Sequence, residues 1–217
     1  MAVTTHTLAP VFAEAALLER WSHVPAAIVA DVSKAATLID PAIRPLRPVG
    51  QQPRLMGRAV TAICRPPDFG AVLHALDLVQ PGEVLVIDAQ GFASHAMIGE
   101  ILGGFLRRRG AAGLVCDGAV RDVAALASWD DFSVFSRSIS PAGPTGWSEG
   151  VVNGVAIIGG KHVAPGDVIL GDDDGLVALS PDLLRLLIEP AEAKLRLEEQ
   201  WQADIASGKS IAQTFGL

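Results

Sequence analysis

The sequence predicts an α/β fold, a single domain of mixed β-sheets with flanking helices. From residue 57 onward, strand-like segments alternate with helix-like ones, which is typical of a parallel sheet. After residue 150 the pattern changes to short strand-like segments joined by Gly, Pro and Asp, which is typical of an antiparallel layer. The chain has 217 residues, half of them hydrophobic. We therefore expect one domain over residues 1–217 rather than two.

The first 40 residues are predicted to be largely helical. Residues 11–21 carry apolar side chains at helical spacing, and residues 28–40 (IVADVSKAATLID) predict a short strand that runs into a second helix. Four prolines between residues 41 and 53 exclude a regular helix there. This stretch is predicted to be a loop.

The alternating region has the order β-α-β-α-β. Its predicted strands are GRAVTAIC, PGEVLVID and GLVCDG, and the helices between them are DFGAVLHALDLV and GEILGGFLRRRG. A short helix, RDVAALASWD, and a strand, FSVFSRSIS, are predicted to follow. The last predicted element is a helix from about residue 181 to residue 207.

Charge and composition exclude several classes of function. The net charge of −7 and the pI of about 5.1 would repel a nucleic acid, and the basic cluster Arg107–Arg109 stands at a predicted helix end, where cations complement the helix dipole. Cys64 and Cys116 lie in apolar strands and are predicted to be buried thiols rather than a disulfide or zinc site. The sequence has no export signal and no long uncharged apolar run. We expect a cytoplasmic protein that binds neither nucleic acid nor membranes.

A candidate anion site lies at the start of the helix GEILGGFLRRRG. The first N–H groups of a helix have no acceptor within it, so the amides of Ile101 and Leu102 can bind a small carboxylate. Gly99 leaves room for the ligand to approach. Glu100 adds an acidic side chain at the same point.

Arg121 and Asp122 follow the strand GLVCDG, at the edge of the predicted sheet where ligands commonly bind. Arg121 provides a planar fork for a carboxylate or an enolate oxygen, and Asp122 provides an anionic oxygen suited to Mg²⁺ or Mn²⁺. Two plainer interpretations remain open from these residues alone. Asp122 could be only the N-cap of the short helix after it, with Arg121 a surface cation, and Glu100 could simply favour its own helix N-terminus.

The block GEILGGFLRRRGAAGLVCDGAVRD resembles a family that contains the 4-hydroxy-4-methyl-2-oxoglutarate aldolases and the regulator of ribonuclease activity A. The family pattern is an acidic residue followed after twenty residues by Arg-Asp, here Glu100 and then Arg121-Asp122. The similarity also covers PGEVLVID, GGKHVAPGDVILGDDDGLVALS and the tail KLRLEEQWQADIASGKS, so it extends over roughly residues 57–210.

The resemblance implies an α/β fold of the swivelling β/β/α kind, assembled as a homotrimer or a dimer of trimers with active sites at subunit boundaries. It also implies Mg²⁺ or Mn²⁺ chemistry on a small 2-oxo acid derived from pyruvate. By this match Asp122 is the metal ligand, Arg121 clamps the pyruvate unit, and Gly99 with the amides of Ile101 and Leu102 binds its carboxylate.

Two acidic residues match the family pattern less closely than Arg121 and Asp122 do. Glu100 stands where the aldolases often have Asp, and the match implies that it acts on the metal through water. The family's acid from the neighbouring subunit is expected in the C-terminal helix, where Glu198 or Glu199 is the nearest candidate and Glu198 is the one assigned, although a solvated helix face explains either residue at least equally well.

The predicted function is a class II, metal-dependent aldolase that cleaves a 4-hydroxy-2-oxo acid such as 4-hydroxy-4-methyl-2-oxoglutarate to pyruvate. Oxaloacetate decarboxylation is predicted as a second activity, because it passes through the same enolate. The four lysines of the chain lie in no apolar setting that would favour imine chemistry. The alternative is a non-catalytic regulator of ribonuclease activity, a protein-binding ring with the same fold. The distal half of a substrate is expected to contact the loop SPAGPTGWSEG and an adjoining subunit.

Overall fold

A computed structural model describes residues 2–7 and 14–217. Its helices are α1 Ala15–Trp21, α2 Ala26–Val32, α3 Gly70–Leu76, α4 Glu100–Arg108, α5 Val123–Leu126, α6 Pro181–Ala206 and α7 Ile211–Phe215. Its strands are β1 Thr4–Thr5, β2 Arg44–Pro45, β3 Leu55–Ile63, β4 Val84–Ile98, β5 Gly113–Val120, β6 Ser133–Ile139, β7 Val151–Val152, β8 Ala156–Ile158, β9 Lys161–Val163, β10 Val168–Asp172 and β11 Gly175–Leu179.

One mixed sheet dominates the described part of the chain. It contains nine strands in the order β1-β7-β3-β4-β5-β6-β2, with β10 and β11 attached to the first half of β3. Strands β3, β4, β5 and β6 are neighbours and run parallel, whereas β2, β7 and β10 pair with this group in the antiparallel direction. Strands β8 and β9 form a separate hairpin. The mixed α/β fold with flanking helices that the sequence predicts is confirmed.

The two faces of the parallel strands contact different layers because alternate side chains point to opposite sides. Leu85 and Ile87 of β4 pack in one cluster with α3 and α4, whereas Val84 and Val86 pack in another with the β8–β9 hairpin. All eight residues of β5 are buried, which agrees with a central parallel strand covered on both faces.

Both cysteines are free and buried, as predicted. Burial raises the pKa of the Cys64 thiol to about 12, and it also raises the pKa of Cys116. At neutral pH both thiols are therefore protonated and behave as small apolar side chains.

The N-terminal region differs from its prediction. The segment IVADV belongs to helix α2, which packs against α6 and β11, and no strand occurs there. A short apolar run is compatible with either a strand or a buried helix. Here Ile28 and Val29 decide the outcome, because the helix buries both in the cluster formed by α1, α2, α6, β10 and β11. Helix α1 begins at Ala15, and residues 11–13 of the predicted first helix lie outside the described residues.

Helix α6 begins at a well-formed cap. The Ser180 side chain accepts a hydrogen bond from the Leu183 N–H, and Pro181 occupies the first turn. Helix α7 follows the predicted end of the chain's helical structure and begins with a capping box between Ser210 and Gln213. In the part of the chain that the structure describes, no helix combines the length and apolar character needed to cross a membrane.

Candidate active site

The predicted site residues meet where β4 and β5 end. The two strands run parallel and leave the sheet at the same edge, at Ile98 and Val120. Gly99 and α4 follow β4, and Arg121 with Asp122 follows β5. The Arg121 N–H donates to the Ile98 carbonyl at 3.0 Å. This hydrogen bond joins the residue that follows β5 to the last residue of β4. Residues that are more than twenty positions apart in sequence thus become neighbours because parallel strands bring their carboxyl ends together.

The backbone of Asp122 is left-handed, with φ 56° and ψ 38°. Residues other than Gly rarely adopt this conformation, although Asp and Asn tolerate it best. Asp122 makes no side-chain bond to the helix that follows it, α5. Its Oδ2 atom instead accepts the Glu100 N–H at 3.1 Å and lies 3.7 Å from Arg121 Nε. Asp122 therefore caps α4, and its carboxylate lies at the positive end of that helix dipole.

Two glycines make room for this pair of side chains. A Cβ atom on Gly99 would lie 2.4 Å from Asp122 Oδ2 and 2.7 Å from Arg121 Cγ. A Cβ atom on Gly143 would lie 2.6 Å from Arg121 Nη1. These distances are shorter than van der Waals contact, so any side chain at either position would displace Arg121 or Asp122.

The N-terminus of α4 presents free amide groups beside Arg121. The first hydrogen bond within the helix runs from the Gly103 N–H to the Gly99 carbonyl at 2.9 Å. Among the described residues, nothing accepts the N–H groups of Ile101 and Leu102. Two unpaired amides at a helix N-terminus and one guanidinium group form a suitable site for a small carboxylate.

These groups line a cleft of about 350 Å³. Its remaining lining is apolar and comes from α3, β4, α4 and the loop at residues 143–147: Phe69, Leu73, Ala96, Met97, Ile98, Ile101, Leu102, Pro144 and Trp147. The loop was predicted to contact the distal half of a substrate, whereas the contributions of α3 and β4 were not. A signal for Phe69 and Leu73 exists in the sequence, because they are spaced four residues apart just after a parallel strand.

Asp68, which the sequence analysis missed, holds the loop in place. Its carboxylate accepts the N–H groups of Gly70 at 2.7 Å, Ser148 at 2.9 Å and Glu149 at 3.1 Å. Burial of this carboxylate opposes its charge, but the backbone bonds outweigh that effect and the pKa of Asp68 is lowered. Asp68 is therefore ionised at neutral pH and ties the loop that carries Trp147 to the start of α3.

The other two predicted acids stand further from the cleft. Glu100 donates its backbone N–H to Asp122, but the residue is exposed and lines an adjoining groove with Arg107 rather than the cleft itself. Glu198 lies on α6, where its carboxylate is 3.4 Å from Lys194 Nζ. No contact within the described residues of one chain joins Glu198 to the cleft, so only a second copy could bring it there.

Asp122 is the residue of this cleft that could hold a divalent cation. The described residues contain no group of three or more His, Cys, Asp or Glu side chains arranged around a common point. Mg²⁺ is often held by one or two carboxylates, with water and substrate oxygens as its other ligands. The Asp122 side chain is 44% exposed, so it fits an open site of that kind and not a closed cage of protein ligands.

Comparisons with known proteins agree with this architecture. A family model described as RraA-like, Aldolase/RraA, matches residues 26–178. A curated relative from Halalkalibacterium halodurans, named "Putative 4-hydroxy-4-methyl-2-oxoglutarate aldolase", is 30% identical over 182 residues, which cover 84% of this chain and 85% of the relative.

Two solved structures share the fold. An uncharacterized protein from Pseudomonas syringae pv. tomato aligns with a TM-score of 0.82 at 24% identity, over 94% of this chain and 99% of that one. Streptomyces coelicolor RraAS2, described as an unusual member of the RNase ES inhibitor RraA protein family, aligns with a TM-score of 0.74 at 25% identity, over 87% of this chain and 97% of that one.

The sheet and the cleft at the ends of β4 and β5 thus define an α/β protein of RraA-like architecture. The chain belongs to the RraA-like family, Aldolase/RraA, and the resemblance seen in the sequence is confirmed. This family includes both aldolases and ribonuclease inhibitors, so membership does not choose between the two predicted functions.

Proposed function

We propose that this protein is a divalent-metal-dependent aldolase that cleaves a small 4-hydroxy-2-oxo acid, the class that includes 4-hydroxy-4-methyl-2-oxoglutarate, to pyruvate. One observation carries the proposal: Arg121, Asp122 and the first residues of α4, whose amides are free, line the same cleft. A binding surface for another protein has no need of a carboxylate clamp beside an anionic oxygen.

The chain's own groups account for binding and for stabilisation of charge. The amides of Ile101 and Leu102 hold the substrate carboxylate, and Arg121 donates to the oxygen on which charge develops when the C3–C4 bond breaks. Asp122 would hold Mg²⁺ or Mn²⁺, which supplies a Lewis acid when bound. Oxaloacetate decarboxylation leaves the same pyruvate enolate in the same place, so we propose it as a second activity.

The lysines support metal-dependent rather than imine chemistry. The four lysines of the chain are Lys34, Lys161, Lys194 and Lys209, and none of them lines the cleft. Lys194 and Lys209 pair instead with acids, at 3.5 Å from Asp31 and 2.8 Å from Asp204. An imine mechanism needs an unpaired amine inside the site.

The test is metal removal. Excess chelator is expected to abolish pyruvate release from a panel of 4-hydroxy-2-oxo acids and oxaloacetate, and Mg²⁺ or Mn²⁺ is expected to restore it, because without the cation only Arg121 faces the enolate charge. Pyruvate is measured directly. Full activity in chelator, together with trapping of the substrate on the protein by borohydride, would show imine chemistry and contradict the proposal.

A regulator of ribonuclease activity is the second candidate, supported by the fold shared with Streptomyces coelicolor RraAS2. In that role the protein would act through its outer surface. Absence of both Mn²⁺ binding and pyruvate release, on the whole substrate panel with metal present, would favour this candidate over the aldolase.

We also propose that the protein is a homo-oligomer, a trimer or a hexamer. The mean hydropathy is +0.37. Two apolar side chains that line the cleft are largely exposed to solvent, Ile101 at 77% and Trp147 at 70%. Exposed apolar groups of this size commonly mark a subunit contact. Light scattering at micromolar concentration is expected to give three or six times the mass of one chain, and a strict monomer would contradict the proposal.

A further inference from the structure

The loop of residues 140–149, between β6 and β7, forms a wall of the cleft and contacts Arg121. Gly143, Pro144 and Trp147 of this loop line the cleft. A Cβ atom on Gly143 would lie 2.6 Å from Arg121 Nη1 and 3.4 Å from its Cζ atom. The backbone of the 140–149 loop therefore packs directly against the guanidinium group that is proposed to bind the substrate.

The N-terminal end of the loop is fastened by the hydroxyl group of Ser140, which is a buried residue. Its Oγ atom donates to the Ser94 carbonyl at 2.8 Å and accepts the Ala142 N–H at 3.3 Å. The Ser140 N–H donates to the Val120 carbonyl at 3.0 Å, and the Ala96 N–H donates to the Ala142 carbonyl at 2.8 Å. These bonds join the start of the loop to β4 and β5, the two strands that the site residues follow.

The C-terminal end of the loop is fastened by the Asp68 carboxylate. Its Oδ2 atom accepts the Ser148 N–H, and its Oδ1 atom accepts the N–H groups of Glu149 and of Gly70, the first residue of α3. A Cβ atom on Gly146 would lie 2.4 Å from Asp68 Oδ2, so the carboxylate is in contact with the loop backbone. Because the three donors use both oxygens, a side chain with a single acceptor oxygen cannot replace this carboxylate fully.

We infer that Asp68 and Ser140 are positioning residues for the proposed reaction. By fastening the two ends of the 140–149 loop, they hold Gly143 against Arg121 and fix where the guanidinium group meets the substrate. Neither residue is among the described residues that line the cleft, so both act through the loop. This inference rests on the proposed function and adds to it two residues from outside the cleft.

Asp68→Asn is the first test. Asparagine keeps the size of the side chain but has an NH₂ group in place of one oxygen, so at least one of the three N–H groups loses its acceptor. With Mg²⁺ present, kcat/KM for pyruvate release from 4-hydroxy-4-methyl-2-oxoglutarate is expected to fall roughly 10–100-fold, the scale on which small misplacements act. Mn²⁺ affinity should not change, because Asp122 has its own bond to α4.

Two further variants accompany this test. Asp77→Asn is the matched control, because Asp77 is an exposed acid at the other end of α3 and lies outside the cleft lining. It should keep the kcat/KM of the unmodified protein. Ser140→Ala removes both hydroxyl bonds at the other end of the loop without adding bulk. It is expected to lower kcat/KM in the same way, and it decides the question if Asp68→Asn does not fold.

A double-mutant cycle distinguishes positioning of Arg121 from a general loss of structure. If Asp68 and Ser140 act through Arg121, each variant should lower kcat/KM far less in an Arg121→Lys background, because the guanidinium group that they position is already gone. Their fall should also divide between kcat and KM as the fall in Arg121→Lys does. Equal factors in the two backgrounds would overturn the inference.

Binding of pyruvate with Mg²⁺ present, measured by calorimetry, separates this inference from the proposed function. If the unmodified protein binds pyruvate but releases none from any substrate, the aldolase is rejected, and weaker pyruvate binding by the two loop variants would still support the positioning of Arg121. If it neither binds nor releases pyruvate, both are rejected. Unchanged pyruvate binding and kcat/KM in both variants would reject the inference and leave the aldolase intact.

Discussion

Asp122→Asn is expected to abolish metal binding while leaving the fold intact. Asn tolerates the left-handed backbone of Asp122, and its side-chain oxygen can still accept the Glu100 N–H, so the α4 cap survives. The interactions of the charge with the helix dipole and with Arg121, 3.7 Å away, are lost, and at this part-exposed position they cost together about 1 kcal/mol. The thermal midpoint should therefore fall by no more than about 2–4 °C.

The metal affinity should fall much further. Loss of an outer-shell partner already costs roughly 10–100-fold in affinity, and loss of the anionic ligand itself should exceed that. Mn²⁺ affinity, thermal midpoint and pyruvate release are measured on the same variant. Asp130→Asn is the matched control, because Asp130 is exposed, lies outside the cleft and loses the same charge. Unchanged metal affinity and activity in Asp122→Asn would show that Asp122 only caps α4 and would refute the site.

Arg121→Lys is expected to lower kcat/KM by a factor of 10² or more. Lysine keeps the positive charge but loses the planar fork, and with it the directed hydrogen bonding of the guanidinium group to the enolate oxygen. Removal of a comparable donor costs on the order of 2–4 kcal/mol of transition-state stabilisation. Gly143 leaves space for Nη1 of this arginine, since a Cβ atom there would lie 2.6 Å from it.

The division between kcat and KM identifies the role of Arg121. Equal falls in kcat and kcat/KM indicate an interaction that exists only in the transition state, whereas a raised KM with unchanged kcat indicates simple substrate binding. Arg108→Lys is the control, because Arg108 is an exposed arginine at the far end of α4. Retention of full kcat/KM in Arg121→Lys would remove Arg121 from the mechanism.

The sequence was sufficient to predict that strands and helices alternate, and to predict the edge of the sheet at which the site forms. Hydrophobic periodicity is a local property, so β3, β5, α3, α4 and the first part of β4 could be recognised from runs of a dozen residues. The continuation of β4 beyond residue 88 to Ile98 was not predicted. Once the strands are parallel, their ends must share one edge. This constraint is why Gly99, Arg121 and Asp122 could be predicted as neighbours without any structure.

The tertiary structure alone decided the remaining features, because they depend on contacts between distant segments. IVADV became helical through packing against α6 and β11, although its local pattern also suits a strand. The left-handed backbone of Asp122 directed its carboxylate to α4 rather than to α5. From the sequence, the preference of Asp for N-cap positions predicted only a bond to the helix that follows it. Asp68 bonds to amides eighty positions away, and no spacing rule in the sequence reaches that far. Those bonds hold the loop that carries Trp147, one wall of the cleft, beside the start of α3.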